Sequence, residues 1–353
     1  MKLAPCPHRT APDGFTRAEL VVILATLAVL AGLLLPGLAR AGGGGAALLC
    51  LDHHRQLAMA WQTYAADNGG RVANNYSIAD TMQTVANQKY ENWANNVLDW
   101  TRHTFNTNLA YTKSSRLWPY LAGDPEVFRC PSDTYVSATQ KAVGITKRSR
   151  SYSMNGFIGR PSSFTDASTA QGINTYVPNY RQFLQTAAIP HPESIFVFLD
   201  EHPDSMNEGL FLNNPGQPTA WGDQPASHHD GACSFSFADA HAELHVWANP
   251  QTKVPVRYVY TSVPIPSSAR QDFTWLMNRT TVVPTMLAVN RLATNRLSVV
   301  WAALNGNYAL QVATSPDSGI WTNLGTTPVK TIGQNAVEIE AQEAAHFYRL
   351  KRP

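Results

Sequence analysis

Two stretches of the chain gather side chains that can bind metals or move protons. Asp200-Glu201-His202-Pro203-Asp204 follows an apolar run, and His228-His229-Asp230 is followed at short spacing by Asp239, His241, Glu243 and His245. Carboxylate oxygens on loops suit calcium, whereas neighbouring imidazoles suit a transition metal. Should the stretches converge, Asp200, Asp204, His229 and Asp239 are the candidate ligands. The competing reading has Asp200 and Asp239 capping turns while the histidines make ordinary hydrogen bonds. Hydrolysis would need a nucleophile or a metal-bound water with a positioned base. The sequence holds no G-x-S-x-G, no H-E-x-x-H and no phosphate-binding glycine loop, so no enzyme is expected. Cys6, Cys50, Cys130 and Cys233 form no C-x-x-C pair, which argues against a zinc knuckle or a thioredoxin-type dithiol.

The elements that must position these groups follow from local pattern. Ile195 to Leu199, apolar and rich in β-branched and aromatic residues, predicts a buried central strand ending at Asp200. Cys233 to Val246 predicts a hairpin. With Asp239-Ala240 as a two-residue turn, Phe237 faces Ala242, Phe235 faces Leu244 and Cys233 faces Val246, giving one wholly apolar side. Such a turn needs positive φ at both central residues, which strains Ala240. Residues 46–67 predict an amphipathic helix with Cys50, Leu57, Trp61 and Tyr64 on its inner face, ended by Asp67-Asn68-Gly69-Gly70. Residues 71–125 show little periodicity and predict a long connection. After Thr280, short apolar runs at Leu297 to Ala302, Tyr308 to Thr314, Val337 to Ile339 and His346 to Leu350 predict a small β-sandwich-like module over 280–353.

The chain has 353 residues, a net charge of +2 and 15% charged residues. Mixed signs along the sequence give no basic footprint, and no nucleic-acid partner is expected. The charges are unevenly spread at the start. Lys2, Arg9 and Arg17 precede a run from Leu20 to Leu38 that carries none. At ~1.5 Å per residue in a helix this run nearly crosses a hydrocarbon core of ~30 Å. Positive charge ahead of it predicts a cytoplasmic N-terminus with the remainder outside. Glu19 sits at the edge of the run, where a carboxylate is costly without a partner. Pro36 and the glycines 42 to 45 predict a break or a flexible linker after the run.

Gly14-Phe15-Thr16-Arg17-Ala18-Glu19-Leu20, followed by the apolar run and Pro36, resembles the prepilin N-terminus of type IV pilins and type II secretion pseudopilins. Arg17 departs from that pattern, where an apolar residue is usual. His229 with Asp239, nine residues between them, is similar to the H-x9-DG signature of a pseudopilin-like group, with Ala240 where that group has Gly. Cys50-Leu51-x-x-x-Arg55-Gln56-Leu57, Cys130-Pro131-x-Asp133 and Phe196-x-Phe198-Leu199-Asp200-Glu201 are similar to the same group. The resemblance implies a leader over 1–14, cleavage after Gly14 by a prepilin peptidase, and methylation of Phe15. It also implies a transmembrane and filament-core helix over 15–41, with Glu19 paired to a neighbouring subunit, and a head over 42–279.

The implied fold is α+β, a long N-terminal helix packed on an antiparallel sheet. The implied partners are the peptidase, copies of the chain or other pseudopilins, and an inner-membrane assembly platform. Some pseudopilin heads carry a structural calcium, which extends the metal reading above. Cleavage would remove Cys6, and a Cys50–Cys130 disulfide tying helix to head then stands beside the alternative of three buried thiols, with Cys233 a thiol in either case. The alternative function is a membrane-anchored carbohydrate-binding protein that uses Trp93, Trp100 and Trp118 and does not polymerise.

Overall fold

The computed structural model describes residues 44–351 apart from 164–171, 179, 261, 283–286, 294, 303–308, 318, 332–333 and 341–345. Gly14, Phe15, Glu19 and the whole apolar run lie outside the described residues. Helix α1 covers 44–67, so Gly44 and Gly45 of the glycine run are helical. Its buried stripe repeats every three to four residues: Cys50, His54, Leu57, Trp61 and Ala65. The helix ends where Gly70 N–H donates to Ala65 O at 2.7 Å, with Gly69 and Gly70 at φ 65° and 82°. That left-handed geometry favours glycine because it crowds a Cβ.

Three further helices follow: α2 (Ile78–Ala86), α3 (Leu109–Lys113) and α4 (Ala138–Lys141). A reciprocal pair of hydrogen bonds between Ser137 and Gln140 caps α4. The head sheet comprises β1 (Tyr152–Asn155), β2 (Phe196–Asp200), β3 (Leu210–Phe211), β5 (Ala232–Phe237) and β6 (Ala242–Val246), in the order β3-β1-β2-β5-β6. A two-stranded ladder joins β4 (Ala220–Trp221) to β7 (Val263–Pro264), and α5 (Arg270–Met277) follows. β2 is central and buried at every position. A register shift between Phe196 and Phe198 interrupts the simple alternation along it. Val197 and Phe198 both join the core containing Leu57, Trp61 and Trp93 of the α1 side. Phe196 and Leu199 join the opposite core of Phe235, Trp247, Phe273 and Leu276. The head therefore has an α1 layer, a sheet and an α5 layer.

Beyond the head, β8 (Ala288–Ala293), β9 (Arg296–Ala302), β10 (Ala309–Ala313), β11 (Thr322–Asn323), β12 (Val329–Thr331), β13 (Gln334–Glu340) and β14 (Phe347–Lys351) form two small sheets, β12-β13-β9-β8 and β11-β10-β14. Val299, Trp301, Leu310 and Val337 make a core of their own.

Two expectations are corrected. The pilin-like arrangement of one long helix on a single antiparallel sheet is not the fold. Among the described residues only α1 is long, the other helices have nine residues or fewer, and the strands form several sheets. Within the head sheet β1 and β3 are parallel. Much of the head is instead held by side chains that satisfy irregular backbone: Asn155 Nδ2 donates to Phe196 O at 2.9 Å and to Thr280 O at 2.7 Å. Groups paired in this way need no sheet ladder.

The hairpin register is also displaced by one residue. Cys233 pairs with His245, Ser234 with Leu244 and Ser236 with Ala242. Phe237 N–H donates to His241 O at 3.0 Å, which leaves a three-residue loop with one left-handed residue, Ala240 at φ 72°. One strained residue costs less than the two of the expected turn. The shift leaves Leu244 and Val246 exposed, while β5 is buried on both faces by the head's layers.

Candidate metal centre

The buried stripe of α1 carries Cys50 and His54 one turn apart toward the sheet. Cys130 sits in the turn after the short helical segment Pro125–Phe128, closed by Asp133 N–H donating to Cys130 O at 3.0 Å. Asp200 ends β2 opposite Tyr152 of β1. His229 opens a tight turn onto β5: its N–H and C=O exchange hydrogen bonds with Ala232, and Asp230 and Gly231 between them have φ 53° and 86°. This is the Asp-Gly turn chemistry expected of hairpins, nine residues upstream of the turn read from sequence.

Cys50, Cys130, Asp200 and His229 converge, with one donor atom from each lying within 4.8 Å of the others. Cys130 Sγ is 3.3 Å from His229 Nε2. Asp200 Oδ2 is 3.5 Å from His229 Nε2, and Cys50 Sγ is 3.5 Å from Asp200 Oδ1. All four side chains are buried. A second ring of groups orients them. Ser234 N–H donates to Asp200 Oδ2 at 3.2 Å, Ser234 Oγ lies 3.1 Å from Cys50 Sγ, and Ser132 Oγ lies 3.4 Å from His229 Nδ1. Tyr152 O–H donates to Arg129 O at 2.7 Å and packs against Cys50 at 3.3 Å. His54 is fully buried with neither ring nitrogen within hydrogen-bond distance of a partner; its Nε2 is 3.6 Å from Asp200 Oδ1.

The electrostatics follow from this packing. Burial opposes ionisation of Asp200, but the contact with His229 and the electrostatic attraction of the nearby His54 outweigh it and hold the carboxyl well below the usual range. Burial also disfavours the His229 imidazolium, yet contact with Asp200 and Cys130 pushes it up to about 10. Burial pushes the Cys50 and Cys130 thiols up, aided by the Asp200 charge. The packing thus favours an Asp200–His229 ion pair beside two thiols.

Of the four residues expected to bind a metal, Asp200 and His229 meet. Asp204 instead accepts from Arg257 N–H at 2.6 Å and Val259 N–H at 3.3 Å. Asp239 lies in the exposed hairpin loop, accepting from His241 N–H at 3.1 Å. Cys50 and Cys130 are adjacent, as the disulfide reading required, but both are free thiols, as is Cys233. His54 was missed, although its i, i+4 spacing from Cys50 on a buried stripe was visible in the sequence.

A second buried polar cluster lies alongside. Arg150 donates to Tyr152 O, Ser153 Oγ and Asn207 O, and the carboxyls of Glu201 and Glu208 are each pushed up to about 7, by burial above all. No family model, curated protein or solved structure matches the chain. Among the described residues no helix is long and apolar enough to cross a membrane.

Proposed function

We propose that the chain is a structural subunit of a type IV pilus-like or type II secretion pseudopilus-like filament. A prepilin peptidase would cut between Gly14 and Phe15 and methylate Phe15. The apolar run would hold the chain in the bacterial inner membrane until an assembly platform adds it to copies of itself or to other pseudopilins. The observation that carries this reading is Glu19 at the edge of an uncharged membrane-length run, four residues after Phe15 of the Gly14-Phe15 junction. A carboxylate there is tolerable when a neighbouring subunit supplies the countercharge, and packing such runs together gives the apolar surface a place outside lipid. Leu48 and Leu49, exposed near the start of the described helix, add apolar surface for such packing.

The tryptophans of the carbohydrate-binding alternative differ in exposure, Trp118 being half-buried against the α1-side core. Trp93 is fully buried and donates to Asn75 Oδ1 at 2.9 Å, while Trp100 is half-buried, with Arg148 and Tyr258 against its ring. Mass spectrometry of the N-terminal peptide from purified membranes tests the filament reading. Methylated Phe15 as the first residue is expected; an intact Met1 overturns it. Glu19→Ala should leave the chain in the membrane and remove it from filaments.

A further inference from the structure

We propose that Cys50, Cys130, Asp200 and His229 hold one zinc ion in a closed, tetrahedral structural site. Zinc accepts this donor set at about 2.0–2.3 Å, and tetrahedral donors at that radius stand about 3.3–3.8 Å apart. With Asp200 Oδ2 as the carboxylate donor, the separations from Cys130 Sγ to His229 Nε2, from His229 Nε2 to Oδ2 and from Cys50 Sγ to Oδ2, at 3.3 Å, 3.5 Å and 3.6 Å, fall in this range. Two sulfurs, one nitrogen and one oxygen select a borderline-soft ion, whereas calcium takes six to eight oxygens, and here only Asp200 supplies any.

The surroundings fit an ion as well. The hydrogen-bonding capacity of Asp200, Cys50 and His229 beyond the four donors is engaged by Ser234 and Ser132, the outer ring a metal ligand set requires. His54, buried with neither ring nitrogen hydrogen-bonded, stands beside Asp200 on the helix side. No coordinating side chain is more than 9% exposed, so the ion has no open position for a substrate and its role is structural. It would fasten α1 to the Cys130 turn, to the end of β2 and to the turn before β5. This does not rest on the filament reading.

The test uses the full-length chain purified in detergent under reducing conditions. After metal removal it is loaded with zinc, or with cobalt as a spectroscopic substitute, and washed of free ion. One zinc per chain is expected, with cobalt giving the intense visible bands of a tetrahedral thiolate-bound ion. Cys50→Ser with Cys130→Ser, and separately His229→Ala, should lower retained metal at least tenfold; Cys233→Ser should not. Failure of the unsubstituted chain to retain zinc, a cobalt spectrum without sulfur ligation, or retention by the double serine variant each overturns the proposal. The stoichiometry and spectrum of the unsubstituted chain decide the matter even where a variant fails to fold.

Discussion

At the scale of single residues, strain and buried charge leave measurable marks. Ala240, half-buried in the hairpin loop, occupies a left-handed conformation at φ 72°. That conformation costs an L-residue roughly 1–2 kcal/mol, and glycine avoids it at an entropic cost of roughly 0.5–1 kcal/mol. Ala240→Gly should therefore stabilise the head by about 0.5–1 kcal/mol in denaturant unfolding; a loss of stability would show that the loop is not strained. Glu208 is a second case. Burial pushes its carboxyl from an ordinary 4.5 up to about 7, and its Oε2 has no hydrogen-bond partner. The folded state then holds the proton more tightly than the unfolded chain. Its contribution is complete below about 4.5 and is lost as pH rises through about 7. Glu208→Gln, neutral throughout, should flatten this part of the stability–pH curve, and an unchanged slope would remove Glu208 as its cause.

At the scale of elements, what was legible was whatever local pattern decides. The buried stripe of α1, the central strand β2 and the apolar runs that became β9, β10, β13 and β14 each needed only periodicity and length. The hairpin register was not legible, because the expected alternation assumed one wet face and β5 is buried on both. Asp200 and His229 stood out as candidate ligands by residue type. Their meeting with Cys50 and Cys130, in place of Asp204 and Asp239, depends on how four distant segments pack, which no local pattern encodes. The same limit hid the role of Asn155. From one strand, its side chain ties the start of β2 and the end of the α5 segment through Phe196 O and Thr280 O, and its Oδ1 accepts from Phe157 N–H at 3.0 Å. Asn155→Ala leaves these buried groups unpaired and should cost roughly 3 kcal/mol, given about 1–3 kcal/mol per orphaned group. A change below about 1 kcal/mol would mean that water or a shifted neighbour takes its place.

At the scale of the whole molecule, the proposed zinc centre makes head stability depend on metal. Its ligands come from positions 50, 130, 200 and 229, so they converge only when α1, the sheet and the intervening loops are assembled. An ion that binds the folded chain and not the unfolded one stabilises it by RT ln(1 + [L]/Kd), or about 2.7 kcal/mol when free zinc exceeds Kd a hundredfold. For a domain of the head's size each kcal/mol shifts Tm by roughly 2–4 °C, so chelation should lower the head's melting temperature by roughly 5–10 °C. Zinc should restore it and calcium should not, because the donors are mainly sulfur and nitrogen. In the Cys50→Ser, Cys130→Ser double variant neither chelator nor zinc should move the transition. A chelator effect of equal size in that variant would place the responsible ion elsewhere in the chain. Recovery with calcium alone would replace this donor set with an oxygen-rich one. The comparison concerns the head's cohesion and not assembly, so it would hold in detergent whether or not Glu19 finds a neighbouring subunit.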